Sequence, residues 1–340
     1  MIGGEYYFQT SAPISNSLEK ELTMSFSKLS YFATGRDTLF SLFSGLEIGR
    51  IWLPNYLCHS VWSSVRQVGK PVMYYDVDDS LRGVHDWIAD TQPDDVVLVI
   101  HFFGIPDIGL LKKLREKNVT LVSDATHLLF NAEGLAEVIQ ESDFSMASLR
   151  KSGPFPDGAF CGSNKHSVPA PSEPARQSFW SLRAAAMLSR GYSARQDFAD
   201  DENFIMLRQA EEILDNAPAG RYGMSYASNG VMSAIDISSQ RVAVAENTAV
   251  LAARLGHACE LPVYGHGVSQ YFVCKFSDKK SRDAVHSTLG TKRIYCPIHW
   301  DTSFLSQPHA LSDKLLSIPC DARYSARDMS RTADELIAAL

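Results

Sequence analysis

Short apolar runs alternate with segments of helical spacing along the first half of the chain. The runs that predict strands lie at 50–53, 72–75, 95–101 and 119–123. The third of them, DVVLVIH, is continuously apolar, which is typical of a strand buried on both faces. The segments that predict helices lie before the first run and between later ones, at 37–45, 59–68 and 109–117. Strands separated by helices of about ten residues favour a mostly parallel sheet with helices on both faces, an α/β fold.

The second half of the chain is first helical and then mixed. Helical spacing predicts helices at 179–190 and 203–215 and one long helix over 231–255. Beyond Gly256 the pattern predicts strands at 271–276 and 294–297 and helices at 281–289 and 328–340. We therefore predict two domains, a large one at 1–235 and a smaller C-terminal α+β domain at 236–340.

Composition and charge exclude several classes of protein. The chain has 340 residues, 45% hydrophobic and 21% charged, as expected of a globular enzyme rather than a disordered or fibrous protein. Its net charge of -7, without a basic block, argues against a nucleic-acid or membrane partner. The first residues lack the basic start and apolar core of a signal peptide, so we expect a cytoplasmic protein. The six cysteines form no CxxC pair, and neither a metal site nor a disulfide framework is expected.

Ligands of parallel sheets gather where strands end, and the run LVSDATH places a carboxylate there. Asp124 could keep the ring nitrogen of a bound pyridine protonated, because a negative charge favours the protonated form of a nearby base. His127 follows three residues later and would lie near the same ring. A helix-capping Asp followed by an incidental His would have the same sequence.

The segment SLRK places Ser148 three residues before Lys151. A serine hydroxyl could bind a phosphate while the lysine amine attacks an aldehyde, which requires an unprotonated amine. The Asp157-Gly158 step that follows would let the chain pass close to a cofactor. The alternative is a surface turn with solvated basic residues.

Two further segments could contribute to a cofactor site. In FATGRDTLF, Gly35 and Arg36 begin a helix whose free N–H groups and dipole would favour phosphate, although a plain helix N-terminus would look the same. In LPNYLCHS, either Tyr56 or His59 could lie on a ring face, but a core tyrosine and a surface histidine are equally compatible. A lysine, a ring-binding acid, phosphate donors and a ring surface are the requirements of pyridoxal 5'-phosphate (PLP). The chain lacks dinucleotide-binding and Walker motifs, as well as HxxxH metal spacing.

Taken together, these segments resemble the DegT-type sugar aminotransferases, which are PLP enzymes of the aspartate-aminotransferase superfamily. The order matches as well as the residues. The matching segments are TGRDTL (34–39), LP (53–54), HFFG (101–104), DATH (124–127), SLRK (148–151), DGA (157–159), NGVMS (229–233), CPIHW (296–300) and LSIP (316–319). The resemblance covers roughly residues 29 to 340 and is weak between about 163 and 225. Arg36 stands where the family has a small hydroxyl residue, and Gly230-Val231 replace Tyr-Arg.

The resemblance implies a three-layer fold of type I and an internal imine between Lys151 and PLP. It also implies that Asp124 meets the pyridine nitrogen, that His127 lies near the phenolic oxygen, and that Asn229 reaches the site of a partner subunit in a homodimer. The implied reaction moves an amino group from an amino acid, with glutamate as the expected donor, to a keto sugar nucleotide. The alternatives are elimination or dehydration, transamination of a non-sugar ketone, and a non-catalytic regulator on the same fold.

Overall fold

The structure is a computed structural model that describes residues 2–4, 6, 16–195, 202–256, 263–264 and 268–340. Its helices are α1 (Leu18–Ser25), α2 (Gly35–Gly45), α3 (His59–Arg66), α4 (Ile108–Arg115), α5 (Ala132–Glu141), α6 (Gln177–Arg195), α7 (Glu202–Asp215), α8 (Tyr226–Ala234), α9 (Ile237–Leu255), α10 (Lys279–Thr291), α11 (Leu311–Lys314) and α12 (Ala326–Ala339). Its strands are β1 (Lys28–Phe32), β2 (Ile51–Pro54), β3 (Val72–Tyr75), β4 (Val96–Ile100), β5 (Thr120–Asp124), β6 (Phe144–Ser148), β7 (Ala159–Ser163), β8 (Val263–Tyr264), β9 (Tyr271–Lys275) and β10 (Leu315–Pro319). Short 3₁₀ turns lie at Asp86–Asp90, Phe102–Gly104 and Leu149–Lys151.

The central sheet has seven strands in the order β1-β7-β6-β5-β4-β2-β3. All of them run parallel except β7, which pairs antiparallel with β1 and with β6. Every residue of β2 and β4 is buried, so both faces of the sheet are covered. The predicted α/β fold with a mostly parallel sheet is therefore confirmed.

A second, three-stranded sheet of order β10-β9-β8 lies in the C-terminal part of the chain. It belongs to a separate apolar core, which also includes α10, α12 and the end of α9. The beginning of α9 packs in the large core through Ile237 and Val244, whereas Leu251 and Leu255 pack in the second core. Helix α9 thus connects both cores, and the domain boundary at 235/236 stays a prediction.

The single long helix predicted over 231–255 is wrong, because the chain forms two helices there. Ile235 is extended, and the Asp236 side chain caps α9 by accepting hydrogen bonds from the N–H groups of Ser238 and Ser239 at 3.1 Å. The carbonyl of Ile235 accepts a hydrogen bond from the N–H of Leu18 at 3.0 Å. A capping Asp and pairing with a distant segment therefore end α8 where apolar periodicity alone continues.

The strand predicted at 294–297 is also wrong. In this segment only Ile294 forms a bridge, and its partner is Ile2 near the N-terminus. Pro297 has no backbone N–H to donate, and its carbonyl accepts a hydrogen bond from the N–H of Ser317 in β10 at 3.1 Å. The segment therefore runs as irregular chain beside β10, toward the large core.

Candidate functional site

Three polar segments meet at one edge of the central sheet, at the carboxyl ends of its parallel strands. Phe32 of β1 and Ser148 of β6 both pair with Ala159, the first residue of the antiparallel strand β7. Asp124 ends β5, the next strand along. This arrangement places the start of α2, the turn after β6 and the carboxylate of Asp124 around one cavity, as expected for ligand sites of parallel sheets.

The empty space in this cavity, including its open mouth, is about 710 Å³. The lining residues come from both halves of the chain. They are Thr34, Gly35, Arg36, Leu39, Cys58, Ser60, Val61, Ile100, Asp124, Thr126, His127, Met146, Ser148, Arg150, Lys151, Leu214 and Trp300. Among the described residues, no group of three or more His, Cys, Asp or Glu side chains has the arrangement of a metal site.

Asp124 is a buried carboxylate, with only 8% of its surface exposed. Burial raises its pKa, while hydrogen bonds from Thr126 and the charge of Lys151 lower it less strongly. The N–H of Thr126 donates to Oδ1 of Asp124 at 2.9 Å. A cationic ring N–H would stabilise this buried charge, because buried charges are costly unless they are paired.

Lys151 lies in the 3₁₀ turn that directly follows β6. The turn is held by a hydrogen bond from the N–H of Leu149 to the carbonyl of Gly158 at 3.0 Å, and Gly158 has a φ of 118° that favours glycine. Below it, the buried Asp157 accepts hydrogen bonds from the hydroxyl groups of Ser225 and Ser228 at 2.6 and 2.5 Å. This polar network joins the turn to the start of α8 and so fixes the backbone that carries Lys151.

His127 lies among aromatic rings at the side of the cavity. Its imidazole stacks on Trp300 with 5.5 Å between ring centroids and contacts Phe103 at 5.0 Å. Both ring nitrogens are buried without a hydrogen-bond partner in the described structure. Burial, then the charges of Lys151 and His299, lower the pKa of His127 well below its usual value. It is therefore a neutral imidazole with a donor and an acceptor that a ligand could use.

The start of α2 forms the third side of the cavity. Thr34 caps the helix by accepting a hydrogen bond from the N–H of Asp37 at 3.2 Å, and the first turn of a helix has N–H groups without partners inside the helix. A Cβ on Gly35 would lie 3.5 Å from the Cβ of Ser148, so glycine keeps the space between them open. The guanidinium of Arg36 donates to Asp215 at 2.6 Å and to the carbonyl of Leu214 at 3.1 Å.

The structure brings six of the predicted site residues together around this cavity. They are Gly35, Arg36, Asp124, His127, Ser148 and Lys151. The other three lie elsewhere in the single chain. Tyr56 is fully buried and donates its hydroxyl hydrogen bond to the carbonyl of His299, His59 is exposed against Trp62 and Phe304, and Asn229 is exposed on α8.

In place of Tyr56 and His59, their neighbours Cys58, Ser60 and Val61 line the cavity. Cys58, the N-cap of α3, is half-buried and Val61 is buried, whereas His59 is exposed. Sequence reasoning missed Thr126, Leu214 and Trp300. Thr126 lies inside the DATH motif, two residues after Asp124, whereas no local pattern points to the contributions of α7 and of the C-terminal segment.

No protein-family model and no curated protein sequence matches the chain. Solved structures do match, over nearly all of its length. The structure of Spr1654 from Streptococcus pneumoniae, described as a sugar aminotransferase in its PMP form, shares 12% identity at a TM-score of 0.69 and covers 99% of this chain and 93% of its own. DesV from S. venezuelae, in complex with a ketimine intermediate, shares 16% identity at 0.65 and covers 98% and 90%. TlmJ, an aminotransferase from Streptoalloteichus hindustanus, shares 15% at 0.64 and covers 95% and 89%. At these identities the likeness shows the fold, which is the predicted fold type I.

Proposed function

We propose that this protein is a PLP-dependent aminotransferase of the DegT type. It would take an amino group from an amino acid, with glutamate as the first candidate, and transfer it to a keto sugar nucleotide or a similar keto compound. Such reactions belong to cell-surface polysaccharide or secondary-metabolite biosynthesis. The observation that carries the proposal is one cavity that holds a buried carboxylate, Asp124, the amine of Lys151 and the start of α2.

The cavity residues fit PLP. Burial raises the pKa of the Asp124 carboxylate. A cationic ring N–H beside it would therefore offset the free-energy cost of burying its negative charge. The N–H groups at the start of α2, with Ser148 across the gap left by Gly35, suit a phosphate group. Lys151 supplies the amine, and the neutral ring of His127 can share a hydrogen bond with the phenolic oxygen.

When bound, PLP supplies an aldehyde that bonds an amine and a ring that withdraws electrons from the adjacent carbon. Asp124 would keep the proton on the ring nitrogen, which preserves that electron-withdrawing power. Nζ of Lys151, once released, would take the proton from Cα of the amino donor and deliver it on the cofactor side. Leu39, Leu214 and Trp300 give the cavity apolar walls that limit access of water.

The fold supports this proposal, since Spr1654 from Streptococcus pneumoniae, which is described as a sugar aminotransferase, shares the architecture. The test is spectroscopic. Purified protein incubated with PLP should gain the absorbance of a lysine-bound cofactor, lose it with glutamate, and regain it with one member of a panel of nucleotide keto sugars. If the protein binds PLP but its absorbance responds to no amino donor, it catalyses another PLP reaction. If the protein binds no PLP, it is a non-catalytic protein.

We also propose a cytoplasmic homodimer in which Asn229 completes the neighbouring site. Asn229 is exposed on α8, close in sequence to Ser225 and Ser228, which anchor the Lys151 turn through Asp157. Sedimentation should give twice the chain mass, and Asn229→Ala should weaken PLP binding about tenfold, as expected for one lost hydrogen bond to a charged group. A monomer with full activity would contradict the proposal.

Among the described residues, no helix is both long and apolar enough to cross a bilayer.

A further inference from the structure

Trp300 lines the cavity, although it lies far from the other site residues in the sequence. Its indole ring is nearly parallel to two other rings, His127 at 5.5 Å and 14° and Phe103 at 6.1 Å and 18°. The ring of Tyr56 packs against it at 5.4 Å and 55°. Aromatic packing on several sides therefore holds the indole in one orientation.

The backbone that carries Trp300 is anchored as well. The hydroxyl of Tyr56 donates to the carbonyl of His299, the preceding residue. The ring of His299 shares a hydrogen bond with the hydroxyl of Ser317 in β10, with Nδ1 and Oγ 2.8 Å apart. The indole is thus a rigid part of the wall that the C-terminal segment contributes to the cavity.

The cavity side of the indole faces Lys151. Nζ lies 5.7 Å from the ring centroid, within the range of cation–π contacts. The charge of Lys151 also acts on the carboxylate of Asp124, whose pKa it lowers. The indole face therefore lies within contact range of the amine that the proposed chemistry uses.

We propose that Trp300 is a positioning residue that holds the ammonium of Lys151 whenever that amine is not bonded to the cofactor. An indole face attracts an ammonium but not a neutral amine, since the attraction is between charge and ring quadrupole. During the phase in which Lys151 carries a proton, the indole would keep that proton inside the cavity. The inference rests on the proposed aminotransferase function, in which Lys151 is released and then carries the proton.

The test compares Trp300→Leu, which removes the aromatic face, with Trp300→Phe, which keeps one. Trp62→Leu, on α3 outside the cavity lining, is the matched control. Apoprotein is mixed with PLP at neutral pH, and attachment is followed by absorbance. The loss of a cation–π contact of about 1 kcal/mol corresponds to a change of about fivefold in a rate. We expect Trp300→Leu to attach PLP about fivefold faster, because attack on the aldehyde no longer has to break the contact with the indole face, and to turn over about fivefold more slowly, because the released ammonium is no longer held in place.

The two Trp300 variants should differ, because only the leucine variant lacks an aromatic face beside Lys151. Trp300→Phe and Trp62→Leu should stay within about twofold of wild type, since an aromatic face or the whole indole remains beside Lys151. Equal behaviour of Trp300→Leu and Trp300→Phe, or an unchanged attachment rate in Trp300→Leu, would overturn the inference. Trp300→Met serves if the leucine variant fails to fold, as judged by thermal unfolding. If wild type takes up no PLP, the proposed function itself fails, whereas an active wild type with indistinguishable variants refutes only the role of Trp300.

Discussion

Replacing Lys151 with alanine is expected to abolish covalent attachment of PLP and to lower turnover by at least about 10³-fold. The amine has two roles in the proposed reaction, the bond to the cofactor aldehyde and the transfer of a proton at the donor Cα. Lys151→Arg is the sharper variant, because it keeps a cation facing the Trp300 ring but cannot form that bond under ordinary conditions. The measurement is borohydride reduction in the presence of PLP, followed by peptide mapping and an assay of transamination.

The matched control is Lys280→Ala, an exposed lysine on α10, which should keep the label and full turnover. Wild type should carry the reduced cofactor on the peptide that contains residue 151. A label on any other lysine, or a Lys151→Ala protein that still retains the cofactor after reduction, would show that the amine has been assigned to the wrong residue. Thermal unfolding of each variant separates loss of chemistry from loss of fold.

Replacing Asp124 with asparagine is expected to lower turnover by about 10²- to 10³-fold, since the charge that holds the ring proton is lost. The same change should stabilise the apoprotein at neutral pH by about 1 kcal/mol, because a buried carboxylate with few partners is removed. Asparagine keeps an oxygen that can accept the hydrogen bond of the Thr126 N–H. Opposite effects on stability and activity are typical of a residue kept for binding a ligand rather than for folding.

The pH dependence of this stability difference follows from the raised pKa of Asp124. The pKa of such a carboxyl group is higher in the folded than in the unfolded state. The folded protein therefore loses stability as pH rises from the pKa of the unfolded state, near 3.9 for aspartate, to the pKa of the folded state. The advantage of Asp124→Asn should thus be largest at neutral pH and vanish below about pH 4. Unfolding of both apoproteins in denaturant across this range measures it, with the exposed Asp313→Asn as control.

An asparagine variant that is less stable than wild type at neutral pH would contradict the burial argument. An asparagine variant with wild-type turnover would contradict the role of Asp124 at the ring nitrogen. Because the two readouts are independent, either half of the prediction can fail without the other. Asp313→Asn should change stability by no more than about 0.5 kcal/mol, because exposed ion pairs contribute little.

The local sequence determined which residues end the strands of the large sheet. The apolar run of β4 and the run that ends at Asp124 predict buried parallel strands, and polar groups at such strand ends necessarily meet at one edge. Gly35, Ser148 and Lys151 follow none of the predicted strands, and the requirements of PLP together with the family resemblance place them near Asp124. The antiparallel direction of β7 and the break before Asp236 were not predictable in this way, because long-range pairing decides them.

The sequence by itself specified a mostly parallel α/β sheet, the acid at the end of one of its strands and, through the order of the motifs, the amine of the proposed chemistry. Strand-end positions are set by short apolar runs and capping residues, which are local properties. Only the tertiary structure decided that Val61 rather than Tyr56 faces the cavity, and that Trp300 completes it. Those choices depend on how α3 and the C-terminal segment pack on the sheet, and packing joins residues that no spacing along the chain relates.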